Sequence, residues 1–155
     1  MAGLFSEEDI SSLKLKKEIT MCVPRGHFVI VHELSKKIVG TFMARHNYDG
    51  IHEYSGRIHW LVVHPDHRGK GLGFFLTALT VNRLIDIGYK TIFVGTNDEM
   101  LAAIKTYLKA GFVPNLFRQG MYRRWEKIYR MLNLEYTPED WTGLKERMGI
   151  FHYLK

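Results

Sequence analysis

The sequence predicts a single α/β domain built around a mixed central sheet. A chain of 155 residues with 46% hydrophobic and 25% charged residues has the size and composition of a globular domain with one buried core. Apolar runs typical of strands alternate with segments of helical period, in the order strand, helix, strand, helix, strand. This alternation predicts right-handed crossovers between neighbouring parallel strands.

The N-terminal half predicts a short helix, a hairpin and a buried strand. Ser6 and Asp9 have the spacing of a capping box and indicate the helix. Residues 27–34 and 37–46 are rich in β-branched and aromatic side chains, with a short polar turn between them, and predict the hairpin. Residues 57–65 form a nearly continuous apolar run, as in a strand buried on both faces.

Helical and strand periods alternate in the next part of the chain. Apolar residues from Leu72 recur at helical spacing and predict a helix that ends near Gly88. Residues 90–97 predict another buried strand. A second helix from Leu101 to Gly111 and a short strand over residues 112–117 follow.

The last third of the chain predicts two more helices and a strand. Residues 121–132 carry one apolar stripe at helical spacing. Thr137 suits an N-cap and Pro138 the first helical position, which predicts a helix over residues 137–149. Residues 150–155 predict a final strand.

Charge and cysteine content narrow the classes of function. The net charge of +6 favours anionic partners, among them a phosphorylated cofactor or a nucleic acid, and also fits a mildly basic surface of no special role. No apolar run reaches the length of a membrane span, and the N-terminus lacks the order of a secretory signal. Cys22 is the only cysteine, which excludes an internal disulfide, favours a cytoplasmic protein and gives no sign of a reactive thiol.

A glycine-rich loop, "HPDHRGKGLGFF" over residues 64–75, joins the strand of residues 57–65 to the following helix. Glycines allow close approach of the backbone and a helix N-terminus favours an anion, so a phosphate group is the expected ligand. A P-loop is excluded because Gly71 follows Lys70 where a hydroxyl residue is required. The dinucleotide fingerprint is excluded because the glycines are spaced in twos. A plain strand-to-helix turn remains the alternative.

Residues 68–73, "RGKGLG", resemble the R/Q-x-x-G-x-G/A loop of the GCN5-related N-acetyltransferase (GNAT) superfamily. The flanking segments resemble the family too, in the right order over residues 27–118. "LVVHP" resembles its fourth strand, and residues 28–46 resemble the hairpin of its second and third strands. The family's N-x(n)-A-x-x-x-Y-x-x-x-G-F segment is matched by Asn97, Ala103, Tyr107, Gly111 and Phe112.

The resemblance implies a GNAT-like mixed central β-sheet flanked by helices and an N-acetyltransferase that uses acetyl-CoA. An amine acceptor would attack the thioester directly in a ternary complex. The residues that the resemblance assigns to the cofactor are Val62, Val63, Arg68, Gly69, Lys70, Gly71, Leu72, Gly73 and Asn97. The loop backbone would hold the pyrophosphate, while the two valine amides and Asn97 would contact the pantetheine arm. The alternatives are a solvated loop, ordinary core valines and a helix-capping asparagine.

Two residues are candidates for catalysis. Tyr107 matches the family's usual general acid, which protonates the departing thiolate, although a tyrosine on an amphipathic helix also serves as a packing residue. His59 is the candidate base because "IHWLVVH" resembles the "HIHALAVH" strand of the arylalkylamine N-acetyltransferases. The alternative for His59 is a strand histidine satisfied by its neighbours, and Glu53 is the fallback base.

A metal site is not expected, although His59, His64 and His67 lie within nine residues. On a regular strand His59 and His64 point to opposite faces, so they converge only if a bulge intervenes. The sequence therefore predicts no metal.

The two ends of the chain depart from the family. Residues 1–26 are a shortened, variable N-terminal segment before the cofactor-binding core of residues 27–118. Residues 119–155 add a helical tail and a last strand, where Trp125, Tyr129 and Trp141 either form part of an acceptor wall or simply pack on the sheet. The acceptor is not identified, and a monomer and a homodimer are both compatible with the sequence.

Two other functions compete with catalysis. The chain could be a non-catalytic module that senses acyl-CoA and engages a partner protein. A nucleic-acid binder ranks last, because the sequence lacks a helix-turn-helix, zinc or RNP-like motif.

Overall fold

The computed structural model describes residues 13–46, 54–116, 119–141 and 147–152. It confirms a mixed α/β fold with a central sheet and flanking helices. The helices are α1 (Leu13–Thr20), α2 (Leu72–Asp86), α3 (Leu101–Lys109) and α4 (Met121–Leu132), and 3-10 turns span Pro65–His67 and Pro138–Trp141. The strands are β1 (Cys22–Val31), β2 (Ile38–His46), β3 (Gly56–Val63), β4 (Thr91–Thr96), β5 (Val113–Pro114) and β6 (Arg147–His152).

The six strands form one sheet in the order β1-β2-β3-β4-β6-β5. The three N-terminal strands pair antiparallel, as the predicted hairpin requires, and β4, β5 and β6 continue the sheet in parallel with β3. Strand β6 lies between β4 and β5, although it comes last in the chain. The central strand β4 is therefore paired on both edges, which suits its buried side chains.

Two glycines let α2 lie close against the sheet. A Cβ atom on Gly40 of β2 would be 3.1 Å from Leu76, and one on Gly56 of β3 would be 3.0 Å from Leu84. Leu76 and Leu84 are fully buried in the main core. Because side chains alternate along a strand, Phe42 shares the α2 face of β2 with Gly40, while Arg45 points to the opposite face.

The predicted helix over residues 137–149 is wrong at its C-terminal end. Only Pro138–Trp141 forms a 3-10 turn, residues 142–146 lie outside the described part of the chain, and residues 147–149 belong to β6. Thr137 and Pro138 start a turn as their residue types suggest, with Asp140 N–H donating to the Thr137 carbonyl at 3.2 Å. Pairing of β6 with both β4 and β5 overrides the local preference for helix.

The other boundaries differ by a few residues from prediction. Strand β1 begins at Cys22 rather than in the predicted 27–34 segment, and β6 begins three residues before the predicted 150–155 strand. Strand β5 is only two residues long. Residues 1–12, where the N-terminal helix was expected to begin, lie outside the described part. Among the described residues, no helix is long and apolar enough to cross a membrane.

Gly26 offers a test of the packing between β1 and β2. A Cβ atom there would be 2.7 Å from the carbonyl oxygens of both Val23 and Ala44, which are backbone atoms and cannot rotate away. We expect Gly26→Ala to lower the free energy of unfolding by about 1–3 kcal/mol, measured by urea denaturation. Val29→Thr, at an exposed position of the same strand, should change it by no more than about 0.5 kcal/mol. Equal stability of the two variants would contradict this packing.

Candidate functional site

Strands β3 and β4 separate halfway along β3. Their parallel pairing covers Gly56↔Ile92, Arg57↔Phe93 and Ile58↔Val94, and stops there. Strand β3 continues to Val63 against β2, and β4 continues to Thr96 against β6. From His59 onward the facing edges of the two strands are no longer paired with each other. This opening is called the β3–β4 gap below.

A β-bulge in β3 coincides with the start of the gap. Met43 pairs with His59, but Thr41 pairs with Val62, so Phe42 faces two residues of β3 instead of one. Trp60, one of those two, has φ of +60°, an uncommon conformation for a bulky residue. A bulge bends its strand and increases the local twist, which accounts for the departure of β3 from β4.

The backbone at the end of β3 is directed alternately to β2 and to the gap. His64 N–H donates to the Val39 carbonyl of β2 at 2.8 Å. In an antiparallel ladder, Val62 then also directs its groups to β2, and Val63 directs its N–H into the gap. Two valines were predicted to contact a cofactor through their backbone. The geometry favours Val63 for that contact, because the amide of Val62 is directed to β2 within the sheet.

The glycine loop leads from β3 into the N-terminus of α2. Gly69 and Gly71 have φ of +74° and +78°, and added Cβ atoms would meet nothing within 4 Å. Glycine is thus required for backbone conformation rather than for space. Gly71 is the N-cap of α2 and supplies no side-chain cap, so the amides of Leu72, Gly73 and Phe74 precede the first intrahelical bond. Such a terminus favours an anion.

The two cations of the loop are tied to nearby carbonyl groups. Arg68 donates its Nε–H to the Val63 carbonyl at 3.0 Å, and Lys70 donates from Nζ to the Asp66 carbonyl at 3.2 Å. The Arg68 bond joins the glycine loop to the edge of the gap. Both residues are exposed, so their remaining donors can serve an anion at the loop.

Helix α3 approaches the loop from the other side of the gap. A Cβ on Gly73 would lie 3.9 Å from both Leu61 of β3 and Thr106 of α3, so three elements meet there. Asn97 precedes α3, but Met100 is the N-cap of that helix, which leaves the Asn97 side chain outside the capping role. Its carbonyl accepts from Met100 N–H at 3.1 Å.

Tyr107, next to Thr106, is almost fully buried, with 4% of its surface exposed. Its ring lies 6.4 Å from that of Phe42 and 5.9 Å from that of Phe112, measured between centroids. Burial among these rings raises the pKa of the phenol far above its usual value. Tyr107 is therefore neutral and protonated at physiological pH, as a proton donor must be.

His59 belongs to a polar cluster that the sequence did not reveal. Its Nε2 lies 3.5 Å from Oε2 of Glu18 on α1, and the same carboxylate oxygen accepts from Nη1 of Arg45 on β2. Cys22 adjoins the cluster, since its thiol lies 3.5 Å from the Glu18 carbonyl. These four residues define the Glu18 cluster. Glu18 comes from a lysine-rich helix with no motif of its own, so only the fold identifies it.

His59 and Tyr107 lie on opposite faces of the sheet. Arg45 contacts the carboxylate beside His59, and Phe42 stacks on Tyr107. An odd number of positions separates Arg45 from Phe42 on β2, so their side chains lie on opposite faces, and the Phe42 face packs against α2. His59 is the first residue of β3 beyond its pairing with β4. The β3–β4 gap therefore starts at His59 and is the opening through which the two predicted catalytic groups could address one ligand.

The remaining predicted residues are the aromatic side chains of the tail, the fallback base and the histidines considered for a metal site. Trp125, Tyr129 and Trp141 are buried in the core, with the rings of Tyr129 and Trp141 at 5.1 Å, which fits the packing interpretation. Glu53, the fallback base, lies outside the described residues. A bulge does intervene between His59 and His64, yet no group of histidine, cysteine or acidic residues suited to a metal occurs in the described ranges.

The chain is similar in sequence to known acetyltransferases and acyltransferases. Residues 4–112 match the model of the acetyltransferase (GNAT) family. The chain is 42% identical over 60 residues to a mycothiol acetyltransferase of Cellulomonas flavigena, covering 39% of this chain and 17% of that protein. It is 30% identical over 90 residues to the L-amino acid N-acyltransferase MnaT of Escherichia coli, covering 57% and 51%. The chain thus spans about half of the length of one relative and far less of the other.

Solved structures show the same fold at low sequence identity. A Bacillus anthracis acetyltransferase in complex with acetyl coenzyme A superposes with a TM-score of 0.54 at 20% identity, over 76% of this chain and 61% of that one. A GNAT-family acetyltransferase from Staphylococcus aureus gives 0.53 at 17% identity, over 69% and 63%.

Because Cys22 is the only cysteine, its titration tests the Glu18 cluster without any activity assay. Burial raises the pKa of this thiol, Arg45 lowers it and Glu18 raises it. We expect Glu18→Gln to lower the pH midpoint of Cys22 alkylation by iodoacetamide and Arg45→Met to raise it. Glu33→Gln, on the exposed turn after β1, is the control. A midpoint that moves equally in all three variants would show that the cluster is arranged differently.

Proposed function

This chain belongs to the acetyltransferase (GNAT) family, and we propose that it is an N-acetyltransferase that transfers the acetyl group of acetyl-CoA to an amine within a ternary complex. One observation supports the proposal: the β3–β4 gap opens beside the glycine loop and the uncapped N-terminus of α2. A long, thin ligand with a charged diphosphate and a narrow polar arm fits that combination of features.

The cofactor is proposed to lie along the end of β3. Its diphosphate would accept hydrogen bonds from the amides of residues 69–73 at the N-terminus of α2, with charge from Arg68 and Lys70. The pantetheine arm would enter the gap, into which the alternation of the ladder directs the Val63 N–H. The side-chain amide of Asn97, which does not cap α3, would contact the same arm.

The proposed reaction is a direct acyl transfer. The neutral amine nitrogen attacks the thioester carbonyl carbon, and the new C–N bond forms as the carbonyl oxygen gains negative charge. The C–S bond then breaks, and the amine gives up one proton while the leaving sulfur takes one. A backbone N–H at the gap, that of Val63 in this proposal, would stabilise the developing oxyanion.

Tyr107 is proposed to donate the proton to the sulfur. Its phenol is held neutral by burial among Phe42 and Phe112. A high phenol pKa weakens the acid, but the same apolar surroundings also destabilise a thiolate and so raise the proton affinity of the sulfur. The proton affinities of the phenol and of the leaving sulfur therefore rise together, which keeps them matched for proton transfer.

His59 is proposed to accept the amine proton, directly or through water. An imidazole is neutral for a large fraction of molecules near pH 7 and can act as a base. The Glu18 carboxylate, 3.5 Å from Nε2, would stabilise the imidazolium that forms. Glu18 is therefore a positioning residue in this mechanism, and Arg45 fixes the carboxylate.

The acceptor is proposed to be a small amine that approaches from the Glu18 side of the sheet. The relatives named above include an enzyme described as acting on L-amino acids, which makes amino acids a sensible first class in an acceptor screen. A non-catalytic acyl-CoA sensor is the competing function, and the catalytic test below separates the two.

Cofactor binding is the first test. We expect calorimetric titration with acetyl-CoA to give a dissociation constant in the micromolar range, about −8 kcal/mol, while ATP and NAD bind far more weakly. Arg68→Glu combined with Gly71→Glu should abolish binding, because two carboxylates would then face the diphosphate. Folded wild-type protein that binds no acetyl-CoA would overturn the proposed function.

Catalysis is tested with an acceptor identified by release of free CoA. Tyr107→Phe and His59→Gln should each lower kcat by roughly 10²–10⁴-fold, because each removes one proton-transfer group. The affinity for acetyl-CoA should stay within about two-fold, since neither side chain is assigned to the cofactor. Tyr122→Phe, an exposed tyrosine on α4, is the matched control. Unchanged turnover in Tyr107→Phe would remove this residue from the mechanism.

A further inference from the structure

Three histidines from two separate segments gather beside the glycine loop. His32 follows the end of β1, whereas His64 and His67 lie between β3 and α2. The ring centroids of His32 and His67 are 4.9 Å apart, and those of His64 and His67 are 5.9 Å apart, both edge to face. His67 directly precedes Arg68 in the chain. These residues, with Lys70, are called the histidine cluster below.

Local hydrogen bonds at Nδ1 place the proton of two of these neutral rings on Nε2. The Nδ1 atom of His32 lies 3.4 Å from Ser35 N–H and 2.8 Å from its hydroxyl, and the Nδ1 atom of His64 accepts from Asp66 N–H at 3.4 Å. An Nδ1 atom that accepts a hydrogen bond carries no proton, so in the neutral ring the proton is on Nε2. Both rings therefore offer Nε2–H donors, and donors in a group favour an anionic ligand.

The electrostatic surroundings of the cluster are positive. Partial desolvation and the nearby Lys70, His32 and His64 all lower the pKa of His67, while Asp66 raises it. The turn that carries His32 adds Lys36, Lys37 and Glu33, and the loop adds Arg68. Asp66 Oδ2 lies 3.7 Å from His64 Nδ1. Cations thus outnumber the two carboxylates, and the imidazoles discourage one another from becoming charged.

We propose that His32, His64, His67 and Lys70 form a binding site for a phosphate monoester, and that its natural occupant is the 3′-phosphate of coenzyme A. The second half of this statement rests on the proposed function. A monoester carries close to two negative charges and three acceptor oxygens, which suit several N–H donors gathered in one cluster. A metal ion does not suit the cluster, since the described residues contain no set of ligands arranged for one.

The covalent structure of coenzyme A supports the assignment. Its 3′-phosphate is joined to the diphosphate through a single ribose, so it must lie close to whatever binds the diphosphate. The proposed diphosphate site is the loop of residues 69–73, and His67 and Lys70 flank and enter that loop. A second phosphate of the same ligand would therefore be expected to lie near His67 and Lys70.

The test compares coenzyme A with dephospho-coenzyme A, which differs only by the 3′-phosphate. In calorimetric titrations of the wild-type protein at pH 7 and low salt, we expect coenzyme A to bind about ten-fold more tightly, as one charged hydrogen-bonded group predicts. In His32→Gln combined with His67→Gln, this ratio should fall to nearly one while the dissociation constant of dephospho-coenzyme A stays unchanged. Titration with inorganic phosphate alone shows whether the cluster also binds a free phosphate ion.

A second variant controls for the general loss of positive charge. Lys105→Gln combined with Lys127→Gln removes two exposed charges from α3 and α4 and should leave the ratio as in the wild type. Equal binding of the two cofactors by the wild type would overturn the phosphate site and leave the proposed function intact. Failure to bind either would instead overturn the proposed function. Equal weakening of both cofactors by the histidine substitutions would assign the cluster to loop structure and also reject the site.

Discussion

The left-handed conformation of Trp60 is the constraint on which the rest of the candidate site depends. In the register of the first three pairs, a regular β3 would go on to pair His59 with Gly95 and Trp60 with Thr96, where β4 ends. With the bulge, β3 keeps its pairing to β2 and loses its pairing to β4 beyond Ile58. His59 is thereby placed at the point where the strands part.

Two contacts turn this local distortion into a fixed site. Strand β4 cannot follow β3 because β6 holds it on the other edge, along Thr91 to Thr96. At the end of β3, the Val63 carbonyl accepts a hydrogen bond from Arg68, at the start of the glycine loop. The loop is held in turn by helix α2, whose close contact with the sheet depends on the missing side chains at Gly40 and Gly56. Gap, loop and helix are therefore connected to one another through β3 and α2.

Most of the fold could be predicted from the sequence, because the spacing of apolar residues and the turn residues determine secondary structure locally. The apolar spacing of α2 and the buried runs of β3 and β4 were sufficient to predict those elements. The last strand was only partly predicted, since Thr137 and Pro138 favour a helix start and only long-range pairing places Arg147–Gly149 in the sheet. The sequence does not predict the bulge at Trp60, because no residue type marks a bulge as a proline marks a kink.

The Glu18 and histidine clusters show why side-chain sites are harder to predict than elements. Glu18 and His59 are 41 positions apart, and His32 and His67 are 35 apart, so their meeting is set by the register of β1, β2 and β3 and not by spacing. The two faces of the sheet then divide the chemistry between them. Apolar rings around Tyr107 favour its neutral form, whereas a carboxylate and a guanidinium lie close to His59. In the proposed mechanism these two groups exchange protons with one substrate in opposite directions, and such transfers need different surroundings.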